Sequence, residues 1–301
     1  MTSRNIIIVF ITAVLMASVA FADKVDPRVR TYIDPVRVVW FSKSTQGYGT
    51  RMQVARTERL LEKHYGQVPE YGVGTRPSAC YLQNKGEIPG VLLDFGRELH
   101  GGVQIGTGWD SLGMRLRVRF GESVAEAMSD IGEKGATNDN AVRDNVIGVP
   151  PLGTIEIGNS GFRFVRIDLV TPGTISLHFV RAVELMRPMK KKGFFKCSDE
   201  RLNRIWDTAL RTVHLCCQDY LWDGIKRDRL VWMGDMHPET MAILNVFGAD
   251  SILPESLDFM AAITKPDEWM NNMGPYTLWW IRNVGWSPSA MKRTRSLKIC
   301  R

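Results

Sequence analysis

Residues 174–220 read TISLHFVRAVELMRPMKKKGFFKCSDERLNRIWDTALRTVHLCCQDY, and the fold class changes within them. From Thr174 to Val180 the apolar side chains Ile175, Leu177 and Phe179 fall on every second position. A strand with one buried and one wet face requires that period of two. The charged run Lys190-Lys191-Lys192 then marks a boundary, with Phe194 and Phe195 just beyond it. Ser198 is a good N-cap, and Asp199 and Glu200 place negative charge where a helix dipole favours it. From there Leu202, Ile205, Trp206, Ala209, Leu210, Val213, Cys216 or Cys217, and Tyr220 recur at steps of three and four, an amphipathic helix with a wide apolar stripe. The chain is β first and α second, two domains joined near residue 190.

The β character extends upstream. Val91–Phe95 and Val103–Ile105 are short apolar segments separated by glycines. Met114 to Phe120 alternates throughout, with Leu116, Val118 and Phe120 on one face and three arginines on the other. Thr154–Ile157, Phe162–Ile167 and Thr174–Val180 repeat the theme, with turns expected at Gly158-Asn159-Ser160-Gly161 and Pro172-Gly173. Short strands with glycine turns and no helical period argue a β-sandwich of jelly-roll type over residues 76–190. The polar stretch Gly135–Ala141 reads as a long surface loop. Residues 23–75 read as an arm, with one strand at Val36–Trp40 and a short helix at Thr57–Tyr65.

Downstream, a second helix is expected to begin near Pro238, which suits a first helical turn, and to end at Gly248. A third is expected over Ser251–Ile263 and a fourth over Pro275–Val284.

Composition narrows the function. With 44% hydrophobic and 24% charged residues the chain is an ordinary globular one. Its formal charge of +7 looks like a nucleic-acid signal until it is located. Arg4 belongs to the leader, and Lys292, Arg293, Arg295, Lys298 and Arg301 belong to a tail without acids, so the body is close to neutral and no nucleic-acid partner is expected. At the N-terminus, Arg4, the apolar run Ile6–Met16 and the small-x-small triplet Ala20-Phe21-Ala22 read as a signal peptide over residues 1–22, cleaved after Ala22. That implies an exported protein, periplasmic or extracellular, with no stable membrane insertion. Cys80, Cys197, Cys216, Cys217 and Cys300 are too few for a disulfide scaffold but permit one bridge; buried free thiols are the default. His64, His100, His178, His214 and His237 have no metal-ligand spacing, and neither a metal site nor a cofactor is expected.

Between the first two helices lies Trp222-Asp-Gly-Ile-Lys-Arg-Asp-Arg-Leu-Val-Trp-Met-Gly-Asp-Met-His-Pro-Glu239. Three aspartates, two arginines and two tryptophans crowd a connection, and loops carry function more often than packing does. Carboxylates bond sugar hydroxyls, and indole faces stack on the apolar side of a sugar ring. Glycosidic hydrolysis needs one carboxylic acid to protonate the leaving oxygen and a second carboxylate to activate water or to attack. A salt-bridged connector is the alternative reading of the same composition.

The string resembles glycoside hydrolase family 78, the bacterial α-L-rhamnosidases, whose pattern is Asp-x-Pro-x-Arg-Asp-Glu-Arg-x-x-Trp-x-Gly-Asp. Asp223, Arg227, Arg229, Trp232, Gly234 and Asp235 match it, and Phe195–Trp206 looks like the helix that leads into it. The stretch from Asp94 to Gly101 resembles the sandwich that precedes the family's catalytic domain. This resemblance implies a multidomain β + α architecture: a sandwich followed, over residues 191–285, by the first helices of an (α/α)6 six-hairpin barrel. It implies Asp228 as general acid, where the family has a glutamate. Asp223 and Asp235 fall on the carboxylates that the family uses to hold the sugar, and the substrate becomes a plant- or bacterial-type oligosaccharide or glycan. Arg227, Arg229 and Trp232 of the same string are read as sugar-binding with them, and so is His237 beside the motif, whose other reading is a helix-start residue. One residue is missing between Asp223 and Trp232 relative to the family, and Arg227 and Arg229 oppose protonation of Asp228. The apolar walls of Trp232 and Met233 must therefore outweigh them. The family inverts, with its base about 6.5–9.5 Å from the acid; no segment here matches the part that carries it. The resemblance ends near Val284, and residues 286–301 read as an aberrant basic tail of a truncated, inactive chain. Two other readings stay open: another (α/α)6 glycosidase acting on a fucoside, arabinoside or glucuronide, or a sugar-binding module whose sandwich is the working part.

Overall fold

The computed structural model describes residues 25–43, 53–63, 79–133 and 143–286. The leader, the Gly135–Ala141 loop and nearly all of the basic tail lie outside them. Nine antiparallel strands come first: β1 Val29–Ile33, β2 Arg37–Phe41, β3 Val54–Ala55, β4 Cys80–Asn84, β5 Gly90–Thr107, β6 Arg115–Gly121, β7 Asp144–Gly148, β8 Thr154–Leu169 and β9 Gly173–Met186. Their order is β3-β4-β9-β5-β8-β6-β7, with β1 added to β9 and β2 to β5. The sheet folds over itself. Asn84 Nδ2 on β4 donates to Leu169 O on β8 at 3.0 Å, although in a flat sheet strands three places apart stand about 14 Å from one another. Leu82, Leu93, Ile105, Leu116, Val118, Phe162 and Ile175 share the core enclosed by that fold.

The bend comes from β5. Asp94 pairs with Phe164 and Leu99 with Phe162, so four residues oppose one and the strand turns through a bulge. This joins the two apolar segments Val91–Phe95 and Val103–Ile105 into one strand. The Gly158–Gly161 stretch likewise lies inside β8 and is not a turn. The lead-in residues contribute β1, β2 and β3 to the sheet, and Leu60, in the 3-10 turn Thr57–Leu61, packs into its core.

Alternation in β6 holds on the apolar side, where Leu116, Val118 and Phe120 are fully buried. It fails on the other. Arg119 is buried as well, because the short helix α1, Val124–Met128, lies over that face. Its Nη2 donates to Asp168 Oδ2 at 2.8 Å and its Nη1 to Met128 O at 3.3 Å.

Four longer helices follow: α2 Glu200–Cys216, α3 Met233–Val246, α4 Ile252–Ile263 and α5 Gly274–Trp286. Asp199, not Ser198, caps α2, its carboxylate accepting the Arg201 N–H at 2.8 Å. The apolar stripe of α2 is buried only in its second half: Leu202 and Ile205 are exposed, while Leu215 and Cys216 are buried. Helix α3 starts at Met233, several residues earlier than the proline suggested, and carries Pro238 inside it. Leu215, Leu221, Met233, Met236, Ile243, Leu253, Leu257 and Met260 form a second core. A closed six-hairpin ring is not seen among the described residues. Nor, among them, is any helix long and apolar enough to cross a membrane. Cys80, Cys197, Cys216 and Cys217 are free thiols, Cys197 alone among them not buried.

Candidate active site

The loop from Trp222 to Trp232 folds back on itself. Asp223 N donates to Leu230 O at 2.9 Å, and Asp223 Oδ1 accepts Leu230 N at 3.0 Å. One carboxylate thus closes the loop that carries the others. Arg229 at its tip has φ +54°, left-handed backbone that a β-carbon disfavours. Its guanidinium donates to the Asn159 carbonyl in the β part. Trp232 then stands at the N-cap of α3, with its ring 6.0 Å from that of Tyr276, edge to face. Gly234 is required there: a β-carbon would run into the Tyr276 ring.

Asp235 lies in the first turn of α3, where the helix dipole favours a negative charge. Glu239 follows one turn later, so the two carboxyls share one helix face. Asp223 reaches the same place from the loop. Burial, then the charges of Asp235 and Asp223, push the Glu239 carboxyl up to about 8, with the Cys216 thiol beside it opposing weakly. Asp223 is raised too, by burial first and then by Asp228 and Asp235. Three acids in one place cannot all ionise cheaply, and Glu239 is the one that keeps its proton at neutral pH.

Asp228 behaves in the opposite way. Arg227 grips it with both ends of its fork, Nε to Oδ1 and Nη2 to Oδ2, each at 3.0 Å. That bidentate pair holds the Asp228 carboxyl below the ordinary range. Neither wall expected to raise it does so: Met233 is turned wholly into the helical core, and Trp232, beside the carboxyl, acts on it as a hydrogen-bond donor that lowers it further. In this arrangement the Asp228 carboxylate is held as a hydrogen-bond acceptor by Arg227.

His237, like Arg229, has partners of its own. His237 Nδ1 pairs with Asn283 Oδ1 at 2.8 Å, and its ring stacks on Trp279 at 4.8 Å. Trp280 donates its indole N–H to Leu257 O at 3.0 Å and belongs to the core. Glu239 does not stand out in the sequence as a site residue; its spacing of four from Asp235 is the signal that puts it on the same helix face. Among the described residues no cluster of metal-ligating side chains occurs.

The site's segment has relatives. Residues 190–296 match the family model for the bacterial alpha-L-rhamnosidase 6 hairpin glycosidase domain. The family 78 rhamnosidase of Bacillus sp. GL1 is similar in fold, with a TM-score of 0.58 at 21% identity over 69% of this chain and 22% of that one. The Klebsiella oxytoca rhamnosidase, solved with rhamnose bound, gives 0.63 at 18% identity over 90% of this chain and 54% of that one. The α-L-rhamnosidase of Dictyoglumus thermophilum gives 0.54 at 20% over 69% and 25%. The chain therefore spans between 22% and 54% of the length of these structures. Comparison with curated proteins gives no match. Residues 190–296, with the whole Trp222–Glu239 string inside them, match the glycosidase domain of the bacterial α-L-rhamnosidases, the family that the sequence resembles.

Proposed function

We propose that this protein is an exported glycoside hydrolase of the α-L-rhamnosidase type, cleaving terminal α-L-rhamnosyl residues from glycans with inversion. The observation that carries the reading is that the acids Asp223, Asp228, Asp235 and Glu239 all fall inside the segment matched to the rhamnosidase glycosidase domain. Asp223 and Asp235 accept hydroxyls of the sugar, and Trp232 offers its indole face. Asp228 acts as proton donor once the glycosidic oxygen displaces Arg227 from it. The freed guanidinium no longer favours the carboxylate, so the acid gains a proton as the substrate seats. Arg229 fixes the loop, and His237 borders the site beside Trp279. An inverting reaction also needs a base about 6.5–9.5 Å from the acid; none of the residues named above is given that role.

Calorimetric titration with methyl α-L-rhamnoside tests this. The 301-residue chain is expected to bind it, and Asp223→Asn to weaken binding by about 10- to 100-fold, the cost of a lost charge-assisted hydrogen bond at about 1.5–3 kcal/mol. Arg227→Met is expected to raise the Asp228 carboxyl back towards the ordinary carboxylate range, read by carboxyl carbon NMR. Binding of only a fucoside, arabinoside or glucuronide would replace the sugar in this reading. Glycan binding that survives Asp223→Asn and Asp235→Asn unchanged would move the working surface to the sandwich.

A further inference from the structure

Lys226 sits in the middle of the acid loop, and its side chain points away from the acids. The ammonium is buried in the β part, where it pairs with Glu126 on α1 and, at 3.2 Å, with Glu122 just before it. Glu126 is itself buried, and its second oxygen accepts the Glu122 N–H at 2.8 Å. Three more contacts tie the same loop to the same body. Trp222 meets His100 edge to face at 5.3 Å. Ile225 packs on Gly161 so closely that a β-carbon there would lie 2.8 Å from its Cγ1. Arg229 donates to Asn159 O.

We propose that Lys226 is a positioning residue of the sugar site: its buried ion pair with Glu126 tethers the acid loop to the β-sandwich and so holds Asp223 and Asp228 facing Asp235. The proposal rests on the reading of that loop as a sugar site. An apolar side chain would also fill the space, but it would leave the loop free to slide. A buried ammonium has to meet its carboxylates at fixed places, because a charge removed from water without a partner is costly. The hairpin closure between Asp223 and Leu230 then transmits the fixed point at Lys226 to the acids. Glu98, alongside, is pushed up to about 8 by burial and by Glu122, so it stays protonated and leaves the lysine to its two glutamates. The β part is thereby a component of the site and not only its neighbour.

The tether is tested on the 301-residue chain with Lys226→Met, Glu122→Gln and the exchanged pair Lys226→Glu with Glu126→Lys. Amide hydrogen exchange over residues 222–231 is expected to quicken about 30-fold in Lys226→Met, with β5 and β8 unchanged, because the loop opens locally. Affinity for methyl α-L-rhamnoside is expected to fall about tenfold or more, since a displacement near 1 Å in a site has costs of that order. Glu122→Gln, which spares the buried pair and the fold, is expected to give a smaller change in the same direction. The exchanged pair is expected to restore both readouts to within about threefold. Unchanged loop exchange in Lys226→Met would overturn the tether. So would faster exchange with undiminished affinity. A wild-type chain that binds no sugar sinks the functional reading, while the exchange data still decide the tether on their own.

Discussion

Asp168→Ala is expected to lower the unfolding free energy by about 3–5 kcal/mol. Asp168 is buried and accepts Arg119 Nη2 and Arg166 Nε, each at 2.8 Å. Arg119 has 4% of its side chain exposed, so after the substitution its guanidinium keeps only the exposed Asp130 and a carbonyl. It cannot reach water without prising α1 off the sheet. The penalty is that of a stranded charge, far larger than the worth of the pair itself. By contrast the exposed pair Lys265–Glu268, at 2.7 Å, is expected to contribute under about 1 kcal/mol when either partner is removed. Urea unfolding of both variants, followed by tryptophan fluorescence, measures the two numbers. A loss below about 1 kcal/mol for Asp168→Ala would show that Arg119 finds solvent by another route.

Arg119 also shows where sequence stopped informing structure. The period of two across Met114–Phe120 located β6 and its apolar face, because that pattern depends only on neighbours along the chain. Whether the other face is wet depends on what packs over it, and α1 could not be read from alternation in β6. The glycine stretch Gly158–Gly161 misled in a related way. Glycine in a row signals a turn, yet here Gly161 is small because Ile225, from the helical part, lands on it. Pro238 suggested a helix start, but α3 tolerates it internally and begins at Met233 instead. In the site, the string Trp222–Glu239 showed the acids as a group along the chain. Their protonation was legible only in part, since the arginine flanking Asp228 was visible and its bidentate grip was not. Glu239 needed the helix phase relative to Asp235. Lys226 needed a partner 100 residues away, which no local pattern records.

Raising the pH from 5 to 9 is expected to destabilise the protein progressively, and most steeply above the ordinary histidine range. Glu98 and Glu239 are both pushed from 4.5 up to about 8, so the folded chain holds two protons that the unfolded chain has released. Stability falls with pH wherever the folded state binds more protons, by up to about 1.4 kcal/mol per pH unit for each group. Their contribution is full below pH 4.5 and gone above about 8. His100 works against them over part of that range. Burial pushes it from 6.5 down to about 4, so the unfolded chain binds the extra proton between those values and one glutamate is offset. Above pH 6.5 both glutamates act unopposed, and a slope of about 1–3 kcal/mol per unit is expected once partial solvent exposure of Glu239 is allowed for. Urea titrations at unit steps of pH measure it. Glu239→Gln and Glu98→Gln are each expected to remove about half the slope above 6.5, and a stability that is flat or rising there in the unaltered chain would contradict the proton-holding role of both. Deprotonating Glu239 sets a third negative charge beside Asp223 and Asp235, the pair proposed to receive the sugar. Affinity for methyl α-L-rhamnoside is therefore expected to fall in the same interval in which the fold weakens, and Glu239→Gln to hold it level. A shared pH interval follows only if the proton on Glu239 belongs to the site and to the fold at once.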